Sequence, residues 1–130
     1  ALLGDWGVDA IVGLLPAEMP FWMVFNTEGS FRALEGYLRR APGFDEIHIN
    51  NVAVREQYRR RGVGSLLLGR IVETARRLKV QVAFLEVRSG NHAAQALYEK
   101  TGFKAIARRP DYYSDPREDA VVMSLTLGEQ

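Results

Sequence analysis

The 130-residue chain contains no cysteine, which excludes disulfide bonds, thiolate metal ligands and a cysteine nucleophile. Its two histidines, His48 and His92, lie far apart in the sequence and form a poor set of metal ligands, so no bound metal is expected. No apolar run approaches the length of a transmembrane helix. The first ten residues contain Asp5 and Asp9 but no basic residue, which argues against a signal peptide. Together these absences predict a cytoplasmic protein.

The composition is that of an ordinary globular protein, with 47% hydrophobic and 25% charged residues. A chain of this length can bury one core, although it is small for an enzyme. The sequence contains no internal repeat, low-complexity tract or linker. We therefore expect a single domain, residues 1–130.

The charged residues are unevenly distributed, although the formal net charge is only +1. Residues 51–79 contain 8 basic and 2 acidic side chains, whereas residues 1–50 contain 3 basic and 7 acidic ones. A basic block of this kind favours a polyanionic small molecule or a nucleic acid as ligand. The nucleic acid is the weaker alternative, because Tyr58 is the only aromatic residue in the block and the whole chain is nearly neutral.

The basic block contains the run V-A-V-R-E-Q-Y-R-R-R-G-V-G-S, residues 52–65, which predicts a strand, a turn and a helix in that order. Gly62 and Gly64 lack a Cβ, so the backbone can approach a ligand closely at the turn. The N–H groups and the positive dipole end of the following helix favour an anion, and three consecutive arginines add positive charge. The run therefore predicts a site for a phosphorylated small molecule. On these residues alone, a glycine-rich turn with a solvated arginine cluster remains the alternative.

Two common phosphate-binding motifs do not fit this turn. A nucleotide P-loop requires a lysine directly after its last glycine, and here Ser65 follows Gly64. A dinucleotide fingerprint requires a third glycine at the position of Leu67.

Hydrophobic periodicity predicts strands and helices that form one mixed α/β sheet flanked by helices. One helix follows the glycine turn, and Asn91 can cap a second helix that ends near Gly102. A helix-like segment is expected at residues 8–15, a polar loop at residues 108–119, and strands at residues 21–25, 31–38, 47–54, 80–87, 103–107 and 120–127. The buried stripe of the first helix is expected to contain Val63, Leu67, Ile71, Ala75 and Leu78.

Two polar side chains stand out in the predicted core. Glu86 lies in the apolar strand V-A-F-L-E-V on the face of Phe84, where loss of hydration makes a carboxylate a usable base near neutral pH. The alternative for Glu86 is a structural ion pair with Arg88 or another arginine. Tyr98 lies on the apolar face of the second helix, where simple packing in the core is the alternative to a catalytic role.

Several motifs in a consistent order resemble those of one known superfamily. Arg59-x-x-Gly62-x-Gly64 resembles the pyrophosphate motif of the GCN5-related N-acetyltransferases (GNAT), which bind acetyl-CoA. The run L-E-V-R-S-G-N-H-A-A-Q-A-L-Y-E-K-T-G-F, residues 85–103, resembles their second signature. The segments R-R-x-x-Y-Y and R-E-D-A are also similar to RimI-type ribosomal-protein alanine N-acetyltransferases. The resemblance covers residues 50–125.

The resemblance implies the acyl-CoA N-acyltransferase fold, without its usual first strand and helix, and acetyl-CoA as the cosubstrate. It implies that Glu86 is the general base and Tyr98 the general acid, in a direct transfer of the acetyl group within a ternary complex. The residues that it implies around the cofactor are Val52, Ala53, Val54, Arg59, Arg60, Arg61, Gly62, Val63, Gly64, Ser65 and Asn91.

The acceptor implied by the resemblance is a protein N-terminus, which in RimI-type enzymes is the N-terminal alanine of a small-subunit ribosomal protein. Tyr112 and Tyr113 precede the last strand, where relatives contact the peptide, although they could instead only anchor their loop. Trp6, in D-W-G, resembles part of the family's substrate loop. The alternatives are an acetyltransferase for a small-molecule amine and a catalytically weak CoA-binding or interaction domain. A short N-terminus would expose a sheet edge and favour a homodimer; neither nucleic acid nor membrane is expected as a partner.

Overall fold

The computed structural model describes residues 8–16, 21–25, 32–33, 35–36, 44–54 and 63–128. Within these residues the chain forms six strands and two long helices, and residues 32–33 and 35–36 are also helical. In chain order the elements are β1 (Val8–Pro16), β2 (Phe21–Phe25), β3 (Phe44–Val54), α1 (Val63–Arg77), β4 (Val82–Arg88), α2 (His92–Thr101), β5 (Lys104–Ser114) and β6 (Arg117–Thr126).

The six strands form one mixed sheet in the order β2-β1-β3-β4-β6-β5. All neighbouring pairs are antiparallel except β3 and β4, which are parallel and are joined through α1. A parallel pair needs such a long crossover because its connection must return to the starting edge of the sheet. The predicted mixed α/β sheet is thus confirmed.

Two predictions for the first third of the chain are wrong. Residues 8–15, expected to be helix-like, lie in β1, which pairs with β2 from Ala10↔Phe25 to Leu14↔Phe21. Residues 31–38 were expected to be a strand, yet the described positions 32, 33, 35 and 36 are helical. A short apolar run is compatible with either a helix or a strand. Here β1 is a strand because it pairs with β2 on one edge and with β3 on the other.

The core lies between α1 and the sheet. Leu67, Ile71 and Ala75 of the predicted stripe are buried, and Leu78 packs against the cluster partly buried. Burial alternates along β4, so one face of this strand packs in the core while the other, with Phe84 and Glu86, is half-buried. The two faces of β4 are therefore covered to different degrees. The main buried apolar side chains are Ile47, Ile49, Leu68, Leu85, Phe103 and Met123.

The last two strands are longer than predicted. Residues 108–119, expected to be a polar loop, belong largely to β5 and β6, which are separated only by Asp115 and Pro116. The polar character that suggested a loop comes from β5 being the edge strand, in which nearly every side chain is exposed. Its pairing with β6 is irregular between Arg109 and Tyr113, and Asp111 in this stretch has a left-handed φ of 51°. The pairing of the hairpin is thus irregular in the stretch that contains Tyr112.

Candidate active site

The parallel strands β3 and β4 pair only over part of their length. Their ladder runs from Glu46↔Val82 to Ile49↔Leu85, while β3 continues to Val54 and β4 to Arg88. At the same level β3 shifts register against β1, because Val12 pairs with Ile49 and Ile11 with Asn51. The two backbones therefore separate toward their carboxyl ends, and their facing N–H and C=O groups need another partner there. Val52, Ala53 and Val54, three predicted cofactor contacts, lie in this separated part of β3.

The helix α1 begins at Val63, on the chain segment that leaves the separated end of β3. Gly64 is buried and Ser65 half-buried in its first turn, and no acidic side chain occupies that turn. The first N–H groups of a helix lack intrahelical acceptors and favour an anion. Residues 59–62, with the predicted arginines Arg59, Arg60 and Arg61 and with Gly62, lie outside the described residues.

Asn91 occupies the N-cap of α2, as predicted. Its side-chain Oδ1 accepts a hydrogen bond of 3.1 Å from the Ala94 N–H. The helix ends at Gly102, whose φ of 116° is left-handed, and the Phe103 N–H donates to the Tyr98 carbonyl at 3.0 Å. These caps fix both ends of the helix that carries Tyr98.

Glu86 lies on the half-buried face of β4 with only 8% of its side chain exposed. Its Oε2 lies 2.6 Å from His48 Nε2, and the Tyr112 hydroxyl donates to its Oε1 at 3.4 Å. The His48 ring in turn stacks on Phe84 with 4.7 Å between ring centres. The alternative of an ion pair between Glu86 and Arg88 is wrong, because Arg88 is paired with Glu118.

Sequence reasoning did not find His48 as the partner of Glu86. The two residues are 38 positions apart and meet only because His48 pairs with Phe84 in the β3–β4 ladder, one strand repeat before Glu86. The sequence shows which residues of a strand share one face, but it does not show how two parallel strands are aligned with each other.

Tyr98 packs its ring in the core. The residue is 7% exposed, and its ring packs edge-on against Phe103 at 6.0 Å. Burial, followed by the nearby Tyr113, raises the pKa of Tyr98 above 10.0. The hydroxyl is therefore protonated at neutral pH and can act as an acid.

Arg88 connects β4 to the β5–β6 hairpin. Its guanidinium lies 4.3 Å from the centre of the Tyr113 ring and donates to the Pro116 carbonyl at 2.9 Å. Tyr112 packs edge-on against Tyr113 with 5.0 Å between ring centres. The two tyrosines were expected in a loop but lie in β5, where they meet the face that carries Glu86.

Glu118 holds the connection between β4 and α2. Its Oε2 accepts the Gly90 N–H at 2.6 Å, and its Oε1 accepts from Arg88 at 3.2 Å. The Gly90 N–H, and after it Arg88, lower the pKa of Glu118 below 4.5. Gln95 supports the same connection, since its Nε2 donates to the carbonyls of Arg88 and Ser89. The segment that leads to Asn91 is thus fixed from two sides.

The structure therefore brings together Glu86, Tyr112 and Tyr113, with Tyr98 close enough to interact electrostatically with Tyr113. Trp6, the remaining predicted acceptor contact, lies outside the described residues. Among the residues that the structure describes, no helix has the length and apolar character to cross a membrane, and no group of three acidic or histidine side chains is arranged for a metal ion.

Comparison with known proteins gives a consistent result. The family model described as acetyltransferase (GNAT) family matches residues 11–103. A protein of Bacillus subtilis (strain 168), whose name marks it as a candidate ribosomal protein bS18-alanine N-acetyltransferase, is 34% identical over 116 residues. That alignment covers 89% of this chain and 75% of the Bacillus protein.

Two solved structures share the fold. The ribosomal-protein-S18-alanine N-acetyltransferase from Escherichia coli superposes with a TM-score of 0.62 at 40% identity, covering 66% of this chain and 57% of that one. The protein yncA of Salmonella typhimurium, solved with its cofactor acetyl-CoA, gives a TM-score of 0.60 at 28% identity, covering 68% and 53%. The chain thus spans little more than half the length of either solved protein.

Proposed function

This chain belongs to the acetyltransferase (GNAT) family, as its sequence predicted, and we propose that it transfers the acetyl group of acetyl-CoA to the α-amine of a protein N-terminus. The acceptor class follows the RimI-type relatives, whose names specify the alanine of a ribosomal protein. Residues 1–130 form one domain in this proposal. The observation that carries it is the nearly buried Glu86, directly beyond the last rung of the β3–β4 ladder and facing Tyr112.

The separated strands and the start of α1 suit acetyl-CoA. Val52, Ala53 and Val54 offer an extended backbone edge for the amides of the pantetheine arm, as β-strand addition would. Gly64 is buried at the helix start, and the first-turn N–H groups there can accept the pyrophosphate together with Ser65. The proposed pyrophosphate site also includes the preceding residues Arg59, Arg60, Arg61, Gly62 and Val63.

Asn91 is the proposed contact from the other side of the cofactor. Its Oδ1 is used in the helix cap, so the contact would come from the side-chain amide Nδ2, which points away from the capped N–H. The Gly90–Glu118 and Gln95 hydrogen bonds hold this position before any ligand binds.

Glu86 acts as the general base in this mechanism. An α-amine has a pKa of about 8, so much of it is protonated at neutral pH and cannot attack a thioester. Glu86 accepts the proton directly or through one water, and the freed amine attacks the acetyl carbonyl carbon. A backbone N–H of β3 stabilises the oxyanion that forms.

Tyr98 acts as the general acid. As the carbon–sulfur bond breaks, its hydroxyl donates a proton to the leaving thiolate, which departs as free CoA. The acylated nitrogen gives up its remaining surplus proton, which restores the Tyr98 hydroxyl. The raised pKa of Tyr98 keeps this proton in place before transfer. Because the chain contains no cysteine to carry an acetyl group, transfer is direct within the ternary complex.

Tyr112 and Tyr113 line the acceptor side, and Trp6 is proposed to join them. The Tyr112 hydroxyl already contacts Glu86, so an amine approaching this carboxylate passes the aromatic pair. A small-molecule amine is the second candidate acceptor. A CoA-binding or interaction domain of low activity is the third.

The test is acetyl-CoA turnover, followed by thiol release, on peptides that differ in their first residues. We expect a preference for an N-terminal alanine, with turnover lost in Glu86→Gln and Tyr98→Phe while both variants still bind acetyl-CoA. Turnover on polyamines but not peptides would favour the small-molecule acceptor. Acetyl-CoA binding without turnover on any amine would favour the binding domain, and ping-pong kinetics would exclude the direct mechanism.

A cytoplasmic location and a homodimer remain predictions. The dimer would use an exposed sheet edge. Light scattering at high concentration tests it, and a monomer would contradict it.

A further inference from the structure

We propose that His48 is the positioning residue of Glu86, an assignment that rests on the proposed acetyl transfer and adds a residue to it. The imidazole Nε2–H donates to Glu86 Oε2 and fixes that oxygen, so that Oε1 alone is turned to the amine. The sequence motifs of the second signature contain Glu86 but not His48, which lies on a different strand.

The contact has the geometry of a charge-assisted hydrogen bond. His48 Nε2 and Glu86 Oε2 are 2.6 Å apart, and the two side chains are 17% and 8% exposed. Water can therefore do little to replace His48 as the partner of this oxygen. A hydrogen bond to a charged carboxylate is stronger than one between neutral groups, and partial burial strengthens it further.

The ring of His48 is itself held in place. It stacks nearly parallel on Phe84, with an interplanar angle of 10° and ring centres 4.7 Å apart. Phe84 and Glu86 project from the same face of β4, and His48 pairs with Phe84 across the ladder. The stack and the strand register together aim Nε2 at Glu86, as a positioning group requires.

The two oxygens of Glu86 consequently have different roles. Oε2 is occupied by His48, whereas Oε1 has only the long contact of 3.4 Å from the Tyr112 hydroxyl. An incoming amine or its bridging water can displace this weak contact without loss of the short one. Oε1 is thus the atom that accepts the proton, and His48 prevents the carboxylate from rotating away.

The kinetic test compares His48→Leu, which fills the space without a donor, with His48→Gln, which retains an N–H donor. We expect His48→Leu to lower kcat by about 100-fold, as small misplacements of a reacting group do, with little change in the KM for acetyl-CoA. His48→Gln should recover most of this loss. His92→Gln, at an exposed histidine, is the matched control and should behave as wild type. Full activity in His48→Leu, or no rescue by His48→Gln in a folded variant, would overturn the proposal.

A second measurement does not depend on activity. The chain has only two histidines, so the ring N–H signals of a ¹⁵N-labelled protein are assigned by His92→Gln. We expect one slowly exchanging Nε2–H signal from His48 that disappears in Glu86→Leu. If wild type is inactive on every acceptor but this signal is present, acetyl transfer fails while the His48–Glu86 contact stands. If wild type is active and the signal is absent in it, the positioning role fails alone.

Discussion

The guanidinium of Arg88 lies over the ring of Tyr113 at 4.3 Å and joins β4, which carries the proposed general base Glu86, to the β5–β6 hairpin, which carries the proposed acceptor contacts. The same guanidinium donates to the Asp115 and Pro116 carbonyls and to Glu118. Arg88 therefore adds a third link to the β4–β6 pairing and the Tyr112–Glu86 contact, which also join β4 to the hairpin. The planar guanidinium can stack on the ring and donate hydrogen bonds to the carbonyls at the same time, whereas the ammonium group of a lysine cannot stack in this way.

Replacing Arg88 should weaken acceptor binding more than cofactor binding. In Arg88→Met the apolar stem remains, but the contacts with Tyr113 and Pro116 are lost, and the hairpin is held less firmly. Cation–π contacts contribute about 0.5–1 kcal/mol at exposed sites. A loss of this free energy corresponds to a rise of about two- to fivefold in the acceptor KM, which is the effect we expect. Steady-state kinetics with each substrate varied in turn measures it.

Arg108→Met is the matched control for this substitution. Arg108 also lies on the hairpin and forms an exposed ion pair with Asp119 at 2.9 Å, but it contacts neither tyrosine. Both KM values should remain those of wild type. An equal effect of the two substitutions would mean that charge, and not the Arg88 contacts, supports the acceptor.

The sequence predicts elements with local end signals better than elements that depend on strand pairing. Helix α2 was predicted with its correct ends because Asn91 and Gly102 have local backbone requirements that a sequence displays directly. The prediction of β1 as helix-like failed because its strand state depends on pairing with β2 and β3, which no local pattern reveals. His48 was missed for the same reason, since its role depends on strand register.

Two glycines should respond in opposite directions to replacement by alanine. A Cβ on Gly90 would lie 2.7 Å from Glu118 Oε2 and displace the carboxylate from the Gly90 N–H, so Gly90→Ala should be less stable than wild type. Gly69 lies exposed in α1 with nothing within 4 Å of its Cβ position. Gly69→Ala should therefore raise the free energy of unfolding by about 0.5–1 kcal/mol. Urea unfolding compares them; a stabilising Gly90→Ala would contradict the proposed role of Glu118.

Tyr98 should make the protein less stable at high pH. Its pKa is raised by burial and then by Tyr113, so the folded state holds the proton more tightly than the unfolded chain. The resulting contribution is complete below the usual value of 10.0 and is lost as the pH rises through the raised value. Tyr98→Phe cannot ionise, and its unfolding free energy should fall less steeply between pH 10.0 and the raised value. A smaller slope should remain, because the pKa of Tyr113 is raised as well. Parallel curves for the two proteins would show that Tyr98 ionises as freely in the folded state as in the unfolded chain.

The two proposed roles of Asn91 can be separated by two substitutions. Asn91→Ala removes the acceptor for the Ala94 N–H, and loss of such a cap lowers the free energy of unfolding by about 1 kcal/mol. Asn91→Asp retains an oxygen at the cap and should unfold like wild type. The aspartate, however, lacks the Nδ2 donor and places a negative charge beside the proposed cofactor site, so acetyl-CoA should bind more weakly, and most clearly at low salt. Urea unfolding and calorimetric titration with acetyl-CoA give the two readouts. If Asn91→Asp binds acetyl-CoA as tightly as wild type, Asn91 is a helix cap alone, and the contact with the cofactor must come from elsewhere in the β4–α2 connection.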